Sequence, residues 1–194
     1  VMNMYLYVVR HGETLFNKLQ RMQGWCDSPL TEKGIQQAKD TGVKLKDIDF
    51  VHAYSSTSER AVDTLDYILG DRNIPKKALK GLKEFNFGTL EAEKQDYVHN
   101  VLKVPHSEMY KYGGDRIEDL VERMENQLLE IARNHPEGNV LCVSHGGVFI
   151  NVLRHLAPDY IEDRFRRKLP IMENCQILLF ESDGKTLKFI KNDL

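Results

Sequence analysis

The hydrophobic residues of this chain form short apolar runs separated by longer amphipathic segments. The apolar runs are rich in β-branched and aromatic residues, which favour buried strands, and they cover residues 5–9, 50–54 and 140–143, with a weaker candidate at 78–83. The amphipathic segments repeat apolar residues at helical spacing, and they cover residues 31–46, a stretch from about 58, a stretch from 115 and a stretch directly after 143. Strands and helices therefore alternate along the sequence.

Polar residues mark where some of these elements begin and end. Thr31 is placed to cap the helix that follows it, and Asp115 with Glu118 three residues later resembles a capping box. Near the C-terminus, apolar runs at 177–180 and 187–190 flank an Asp-Gly pair, which predicts a β-hairpin. The last two strands are therefore expected to pair antiparallel.

Strands that alternate with helices predict a mostly parallel sheet covered by helices on both faces. We therefore expect a three-layer α/β/α sandwich with an antiparallel edge formed by the C-terminal hairpin. The length of 194 residues suits a single domain spanning residues 1–194. In such folds the binding crevice lies at the carboxyl ends of the strands, so polar residues at those ends are the candidates for function.

Composition and charge exclude several classes of partner. The formal net charge of −2 provides no basic field that would favour nucleic acid or an anionic membrane, and no apolar run approaches the roughly 18 residues needed to span a bilayer. The three cysteines, Cys26, Cys142 and Cys175, are widely spaced and odd in number, which fits a reducing compartment. Because the N-terminus also lacks a basic leader, we expect a cytoplasmic protein, whose oligomeric state the sequence does not indicate.

Polar side chains follow three of the predicted strands. Arg10 and His11 follow the first strand, Arg60 follows the second, and His145 follows the strand at 140–143. In a parallel sheet these two imidazoles and two guanidinium groups meet at one edge. Guanidinium groups bind phosphate oxygens bidentately, and a neutral imidazole is a competent nucleophile, so the set favours phosphoryl transfer.

Two further features favour the same chemistry. Arg60 lies near the start of its predicted helix, where a cation opposes the helix dipole unless an anion lies between them. The leaving alkoxide needs a proton from an acid with a raised pKa. Glu84, at the end of the weaker strand candidate, is the candidate for that acid.

Four motifs resemble those of one known family. The stretch RHGETLFNKLQRMQGWCDSPLTEKGIQQA (residues 10–38) resembles the opening signature of the histidine phosphatase superfamily, also called phosphoglycerate mutase-like. The segments SSTSERAVDT (55–64), LKEFNFGTLE (82–91) and VSHGG (143–147) resemble its later signatures in order and approximate spacing. The sequence departs from the family pattern at Ser58, where an apolar residue is expected, and at Ala92, where a glycine is usual.

Carried over residue by residue, the resemblance implies a phosphohistidine mechanism. His11 would be the phosphorylated nucleophile, and Glu84 would donate a proton to the leaving group and then act as base for the attacking water. The residues implied to surround the phosphoryl group are Arg10, Arg60, His145 and Asn17, with Gln23 and Gly24 on the loop beside them.

The same resemblance bears on the substrate. It implies that residues 85–116 form a cap-like insertion, whose variable part at 92–114 corresponds to the segment that caps the pocket and helps select the substrate in this family. Phosphoglycerate mutases of the family carry an adjacent arginine pair in this region, whereas the only adjacent pair here is Arg166-Arg167. We therefore expect a phosphatase of a small phosphorylated metabolite. A 2,3-bisphosphoglycerate-dependent phosphoglycerate mutase is the alternative, and a non-catalytic phospholigand-binding module is a minor one.

Rival chemistries lack their sequence signatures. The sixth residues after the three cysteines are Glu32, Val148 and Glu181, so a cysteine-dependent phosphatase lacks its arginine. A DxDx[TV] match at 47–51 precedes its strand, whereas a nucleophilic aspartate belongs at a strand's carboxyl end. No ligand spacing predicts zinc, and arginines in the pocket would repel a cation, so neither a metal nor another cofactor is expected. The remaining histidines are predicted to be surface or core residues: His52, His99, His106, His135 and His155.

Overall fold

A six-stranded sheet forms the centre of the molecule in the computed structural model, which describes residues 3–191. In chain order the strands are β1 (Met4–Arg10), β2 (Phe50–Ser55), β3 (Lys76–Ala78), β4 (Gly138–Ser144), β5 (Ile177–Ser182) and β6 (Leu187–Lys191). Their order across the sheet is β3-β2-β4-β1-β5-β6. The pairs β1–β4, β4–β2 and β2–β3 are parallel. Strand β5 pairs antiparallel with β1, and β6 pairs antiparallel with β5. The predicted mostly parallel sheet with an antiparallel edge is therefore confirmed.

Helices cover both faces of this sheet. They are α1 (Leu15–Leu19), α2 (Glu32–Lys44), α3 (Glu59–Leu69), α4 (Ile117–Asn134), α5 (Gly146–Leu156) and α6 (Pro158–Arg166). Alternate residues of β1 enter opposite cores: Leu6 and Val8 belong to an apolar cluster with α4 and α5, whereas Val9 belongs to a second cluster with α2 and α3. The three-layer α/β/α sandwich is confirmed. Within residues 3–191, no helix is both long enough and apolar enough to cross a membrane.

Of the two predicted helix caps, the structure confirms one and contradicts the other. The Thr31 hydroxyl accepts a hydrogen bond from the Gly34 amide at 3.1 Å, which confirms it as the cap of α2. The capping box at Asp115 is wrong, because α4 starts after Arg116 with no side-chain cap. Asp115 instead accepts from the Asn86 amide at 2.9 Å, so its carboxylate fastens the 86–88 loop to the start of α4.

The weaker strand prediction at 78–83 is also wrong. Strand β3 ends at Ala78, and the Leu79 amide makes a last bond to the Ser55 carbonyl before the chain enters a single helical turn at Lys80–Leu82. This turn places Leu82 completely inside the apolar cluster of α4 and α5, a position that continued strand geometry beside β2 does not offer.

Two short helices had no clear sequence pattern. Helix α1 has five residues and none of them is buried, so it carries no apolar stripe. A capping box holds its start, in which Thr14 and Asn17 bond to each other's backbone amides. Helix α6 begins directly after α5, with Pro158 in its first turn.

The segment 85–116 contains three helical turns, at Gly88–Leu90, Tyr97–Val101 and His106–Tyr112. Its residues Val98, Val104 and Met109 are buried in the same apolar cluster as the sheet and α4. The segment is therefore packed onto the core and its irregular backbone is held by tertiary contacts.

Ala92, which replaces the family's usual glycine, has a left-handed backbone with φ of 68°. This conformation costs a residue with a Cβ roughly 1–2 kcal/mol, whereas glycine adopts it freely but loses about 0.5–1 kcal/mol of chain entropy. We predict that Ala92→Gly raises the free energy of unfolding by about 0.5–1 kcal/mol, measured by urea denaturation. Ala157→Gly, at a residue without positive φ, is the control and should not stabilise. A loss of stability in Ala92→Gly would contradict the assignment of strain.

Candidate active site

The carboxyl ends of three parallel strands bring the predicted residues together. Arg10 lies opposite Ser144 in the β1–β4 register, and Ser55 of β2 lies opposite Val143 of β4. His11 and His145 each follow their strand by one residue, and their ring centroids are 5.3 Å apart. Both rings are almost completely buried, so the two imidazoles share one enclosed site.

The hydrogen bonds of His11 define which of its nitrogens is free to react. Its Nδ1 lies 2.8 Å from the Gly12 carbonyl oxygen, which can only accept, so Nδ1 carries the proton. Nε2 then holds a lone pair, toward which Arg60 Nε donates at 3.3 Å. Burial and the charges of Arg60 and Arg10 hold the pKa of His11 well below its usual value, so the ring is neutral near pH 7.

His145 is also a neutral ring with one nitrogen already occupied. Its Nε2 lies 2.7 Å from the Ser56 hydroxyl, which itself accepts from the Ser58 amide at 3.2 Å. When that hydroxyl donates to Nε2, the ring proton lies on Nδ1, which is buried and has no partner within residues 3–191. Burial and the nearby Arg60 keep the pKa of His145 well below its usual value. In that tautomer, His145 Nδ1 is an unsatisfied N–H donor beside His11.

Arg60 is held by the loop that follows α1. Its Nη1 donates to the Cys26 carbonyl and to Asp27 Oδ1, and its Nη2 donates to the Gly24 carbonyl, all between 2.7 and 2.9 Å. The Asp27 carboxylate also lies at the start of α3, 3.4 Å from the Arg60 amide. It supplies negative charge where Arg60 alone would oppose the helix dipole.

Arg10 keeps part of its guanidinium group free. Its Nη1 donates to the Met172 carbonyl at 2.8 Å, whereas its Nε is buried and has no partner in the described part of the chain. An unpaired N–H at this depth is costly unless an anion accepts it. Together with His145 Nδ1, it gives the site two donors suited to one anionic group.

Glu84 is 6% exposed and lies at the start of α5. Its carboxylate accepts from the amides of Phe85, Gly147 and Val148 at 2.6–2.9 Å. Burial raises the pKa of Glu84, while these amide bonds act in the opposite direction. Gly147 makes this contact possible, because a Cβ there would lie 2.9 Å from Glu84 Oε1.

The other three predicted residues, Asn17, Gln23 and Gly24, lie beside this cluster. Asn17 Oδ1 accepts from the Thr14 amide and from Asn174 Nδ2, at 3.1 and 3.2 Å. The Gln23 side chain bridges the hydroxyls of Thr14 and Ser28. Gly24 contributes its backbone carbonyl, which accepts the hydrogen bond from Arg60 Nη2.

A cavity of about 200 Å³ opens over the cluster. Five of its lining residues belong to or adjoin the groups described above: Arg10, Asn17, Gln23, Glu84 and Gly147. The other seven are Arg21, Met22, Phe87, Gln95, His99, His106 and Ile150. His11 and Arg60 are buried and do not form its wall. His99 and His106 line the cavity, although the sequence assigned them to the surface or core.

The arrangement places a neutral imidazole, a carboxyl group and unpaired N–H donors suited to an anion beside one cavity. The profile of the histidine phosphatase superfamily (branch 1) matches residues 6–193 of this sequence. The chain belongs to the histidine phosphatase superfamily.

Relatives in this superfamily carry several names. A probable phosphoglycerate mutase GpmB of Erwinia tasmaniensis is 33% identical over 183 residues, covering 89% of this chain and 82% of the relative. The crystal structure of phosphoglycerate mutase from Bacillus anthracis str. Sterne matches with a TM-score of 0.84 at 29% identity, covering 98% of this chain and 92% of that one. Phosphoserine phosphatase from Entamoeba histolytica, solved in complex with 3-phosphoglyceric acid, matches with a TM-score of 0.75 at 26% identity, covering 98% of both chains.

Sequence reasoning missed several residues that position this histidine phosphatase site. Ser56 holds His145, Asp27 holds Arg60, and Asn174 donates to the His11 carbonyl at 3.1 Å. Ser56 and Asp27 lie inside the matched motifs, and their placement there was an available signal. Asn174 lies far from the motifs in sequence and enters through the loop before β5, so no local pattern indicates it.

The two buried serines after β2 provide a matched test of how His145 is held. Ser56→Ala removes the described partner of His145 Nε2 and an acceptor for the Ser58 amide, whereas the Ser58 hydroxyl has no partner within residues 3–191. We predict that Ser56→Ala lowers the free energy of unfolding by about 1–3 kcal/mol and that Ser58→Ala leaves it unchanged or raises it. Chemical denaturation of both variants checks this, and equal losses would argue against the Ser56–His145 bond.

Proposed function

We propose that this enzyme hydrolyses small phosphate monoesters through a phosphohistidine intermediate on His11. The observation that carries the proposal is the unprotonated Nε2 of a neutral His11, which accepts only from Arg60 Nε at 3.3 Å among residues 3–191 and lies near an unpaired Arg10 Nε and an unpaired His145 Nδ1. These groups supply a nucleophile together with donors for the equatorial oxygens of a phosphoryl group.

In the first step the phosphoryl group takes the place of the 3.3 Å bond between Arg60 and His11. His11 Nε2 then attacks phosphorus in line with the departing oxygen, and the bond from phosphorus to that oxygen breaks. Glu84, whose pKa burial raises, gives its proton to the leaving oxygen. The Gly12 carbonyl keeps Nδ1 protonated, which orients the ring and stabilises the positive charge that develops on it.

In the second step the Glu84 carboxylate removes a proton from water. The water oxygen attacks phosphorus, the bond to Nε2 breaks, and inorganic phosphate leaves with His11 neutral again. Because the carboxylate is ionised between the two steps, its bonds to the amides of Gly147 and Val148 stabilise that form in a buried place.

The charge of the cavity wall favours a phosphatase over a mutase. Outside Arg10, Arg21 is the only arginine or lysine that lines the cavity among the described residues. The Arg166-Arg167 pair lies on the surface at the end of α6, where both side chains bond to Asp163. A mutase must hold a bisphosphorylated intermediate, which needs more positive charge than this wall supplies. We propose that residues 85–116 cap the cavity, because Phe87, Gln95, His99 and His106 contribute to its wall.

The nucleophile assignment predicts that His11→Ala lowers kcat by at least roughly 10³-fold toward any phosphate monoester. Rapid acid quench with a ³²P-labelled ester should trap acid-labile label on wild-type protein and none on His11→Ala. His155→Ala, which changes an exposed histidine bonded to Glu125, is the control and should retain both turnover and label. Undiminished turnover in His11→Ala, or a requirement for added divalent metal, would overturn the proposal.

The acid assignment predicts an effect that depends on the leaving group. Glu84→Gln should lower kcat for an alkyl phosphate by about 10²–10⁴-fold, because the alkoxide then leaves without a proton. The effect on p-nitrophenyl phosphate should be much smaller, because its leaving group needs little protonation. Glu122→Gln on the exposed side of α4 is the matched control. Equal losses for both esters would argue against Glu84 as the proton donor.

The same assignment sets the direction of the pH profile. Because the pKa of Glu84 is raised and that of His11 is lowered, the protonated acid and the neutral nucleophile coexist on the acid side of neutrality. Turnover of alkyl phosphates should therefore decline as pH rises through the pKa of Glu84. A wild-type profile that rises into the alkaline range would contradict these roles.

Incubation with 3-phosphoglycerate and catalytic 2,3-bisphosphoglycerate separates phosphatase from mutase. We expect inorganic phosphate to be released without accumulation of 2-phosphoglycerate, as followed by ³¹P NMR. Formation of the isomer without phosphate release would instead favour the phosphoglycerate mutase suggested by the names of some relatives.

A further inference from the structure

Arg21 lies on the cavity wall and carries an uncompensated charge. Its Nη1 donates to the Ala92 carbonyl at 2.9 Å, and it forms no ion pair with any acid among residues 3–191. The carboxylate of Glu91 on the neighbouring loop is already bound by the amides of Gly24, Trp25, Cys26 and Phe87. The remaining N–H groups of Arg21 are therefore available to a bound anion.

His106 contributes a neutral donor to the same wall. Asn151 Nδ2 donates to its Nδ1 at 3.4 Å, which leaves the ring proton on Nε2. The ring packs against Phe85 and Phe87, with centroids 4.9 and 5.8 Å away. Burial, together with Arg154 and His99, lowers the pKa of His106 to about 4, so it acts as a donor without adding charge.

The rest of this wall limits the size and charge of a ligand. Met22, Phe87 and Ile150 provide apolar contacts, and the volume of about 200 Å³ is smaller than the 300–1,000 Å³ common for drug-sized ligands. Arg10 is proposed to bind the phosphoryl group. Among residues 3–191, Arg21 is then the single arginine or lysine of this cavity wall that remains for the rest of the substrate. One guanidinium fork matches one carboxylate.

We propose that Arg21 and His106 bind a carboxylate on the leaving-group side of the substrate, so that this enzyme selects small phosphate monoesters carrying one carboxylate. The proposal rests on the proposed phosphatase function and adds the residues that determine its specificity. The carboxylate would accept hydrogen bonds from the Arg21 guanidinium, on the loop after α1, and from the neutral His106 imidazole of the cap.

A matched pair of substrates tests this assignment. 3-Phosphoglycerate and glycerol 3-phosphate differ only in a carboxylate against a hydroxymethyl group at the far carbon. We expect wild-type enzyme to show kcat/KM about 10–100-fold higher for 3-phosphoglycerate, the effect of one charge-assisted interaction. A ratio near one would overturn the proposal.

Variants of Arg21 and His106 show which side chains produce the preference. Arg21→Gln should bring the ratio of the two kcat/KM values to within about threefold of one, mainly by lowering the value for 3-phosphoglycerate. His106→Phe, which keeps an aromatic ring but removes the donor, should lower 3-phosphoglycerate turnover about 3–10-fold. Lys111→Gln makes the same charge change on the exposed part of the cap and should leave the ratio unaltered.

Arg21→Gln also removes the hydrogen bond to the Ala92 carbonyl, so the loss of this structural bond must be distinguished from the loss of carboxylate binding. A structural effect lowers turnover of both substrates equally and would overturn the assignment, whereas loss of carboxylate binding changes their ratio. Arg21→Lys keeps the charge without the fork and should retain part of the preference. A ratio in Arg21→Gln that equals the wild-type ratio would also overturn it.

Measuring the binding of both substrates to the His11→Ala variant makes the test independent of catalysis. If wild-type enzyme turns over neither these two substrates nor p-nitrophenyl phosphate, the phosphatase proposal fails by itself. Calorimetric titration of His11→Ala should still show tighter binding of 3-phosphoglycerate than of glycerol 3-phosphate, with the difference removed in the Arg21→Gln double variant. Equal affinities would overturn the carboxylate assignment.

Discussion

Four ionisable side chains, His11, Arg60, Glu84 and His145, are buried together at one edge of the sheet beside the half-buried Arg10, and this burial is the constraint on which the surrounding structure depends. An uncompensated buried charge costs several kcal/mol, so each of these groups requires partners or must be neutral. The two imidazoles are neutral, while the guanidinium and carboxylate groups are bound by backbone carbonyls and amides.

These partners explain the course of the loops around the site. The 24–27 loop supplies two carbonyls and a carboxylate to Arg60, and the start of α5 supplies two amides to Glu84. The amides of residues 24–26 bind the carboxylate of Glu91, which belongs to the segment 85–116. The loops that stabilise the buried charges therefore also contribute residues to the cavity wall.

Burial also separates the chemical roles. Burial raises the pKa of the Glu84 carboxyl and lowers the pKa of the His11 ring, which moves the two groups toward the protonation states that the proposed acid and nucleophile need. In the proposed mechanism, Arg10, Arg60 and the buried Nδ1 of His145 compensate the phosphoryl charge.

Periodic patterns and strand ends determined most of the fold and the core of the site from the sequence. The apolar runs of β1, β2 and β4 are long enough to define buried parallel strands, so the positions of Arg10, His11, Arg60 and His145 followed from topology. Glu84 was chosen as the end of a strand candidate that does not form at 78–83, and the LKEFNFGTLE motif supported the choice independently of the local backbone. Helix α1 and the capping of α4 were missed or wrong because short, solvent-exposed elements depend on individual contacts.

The sequence by itself determined the family, the layered fold and the types of side chain at the candidate site, since these depend on local periodicity and on motifs. Only the tertiary structure decided which nitrogen of His11 is unprotonated, which donors are unpaired and which residues line the cavity. Arg21 and His106 lie on segments whose backbone is irregular, and their placement depends on how Val98, Met109 and the 24–26 loop pack against the core. Such packing is the sum of many weak contacts between residues distant in sequence, and it leaves no periodic signal along the chain.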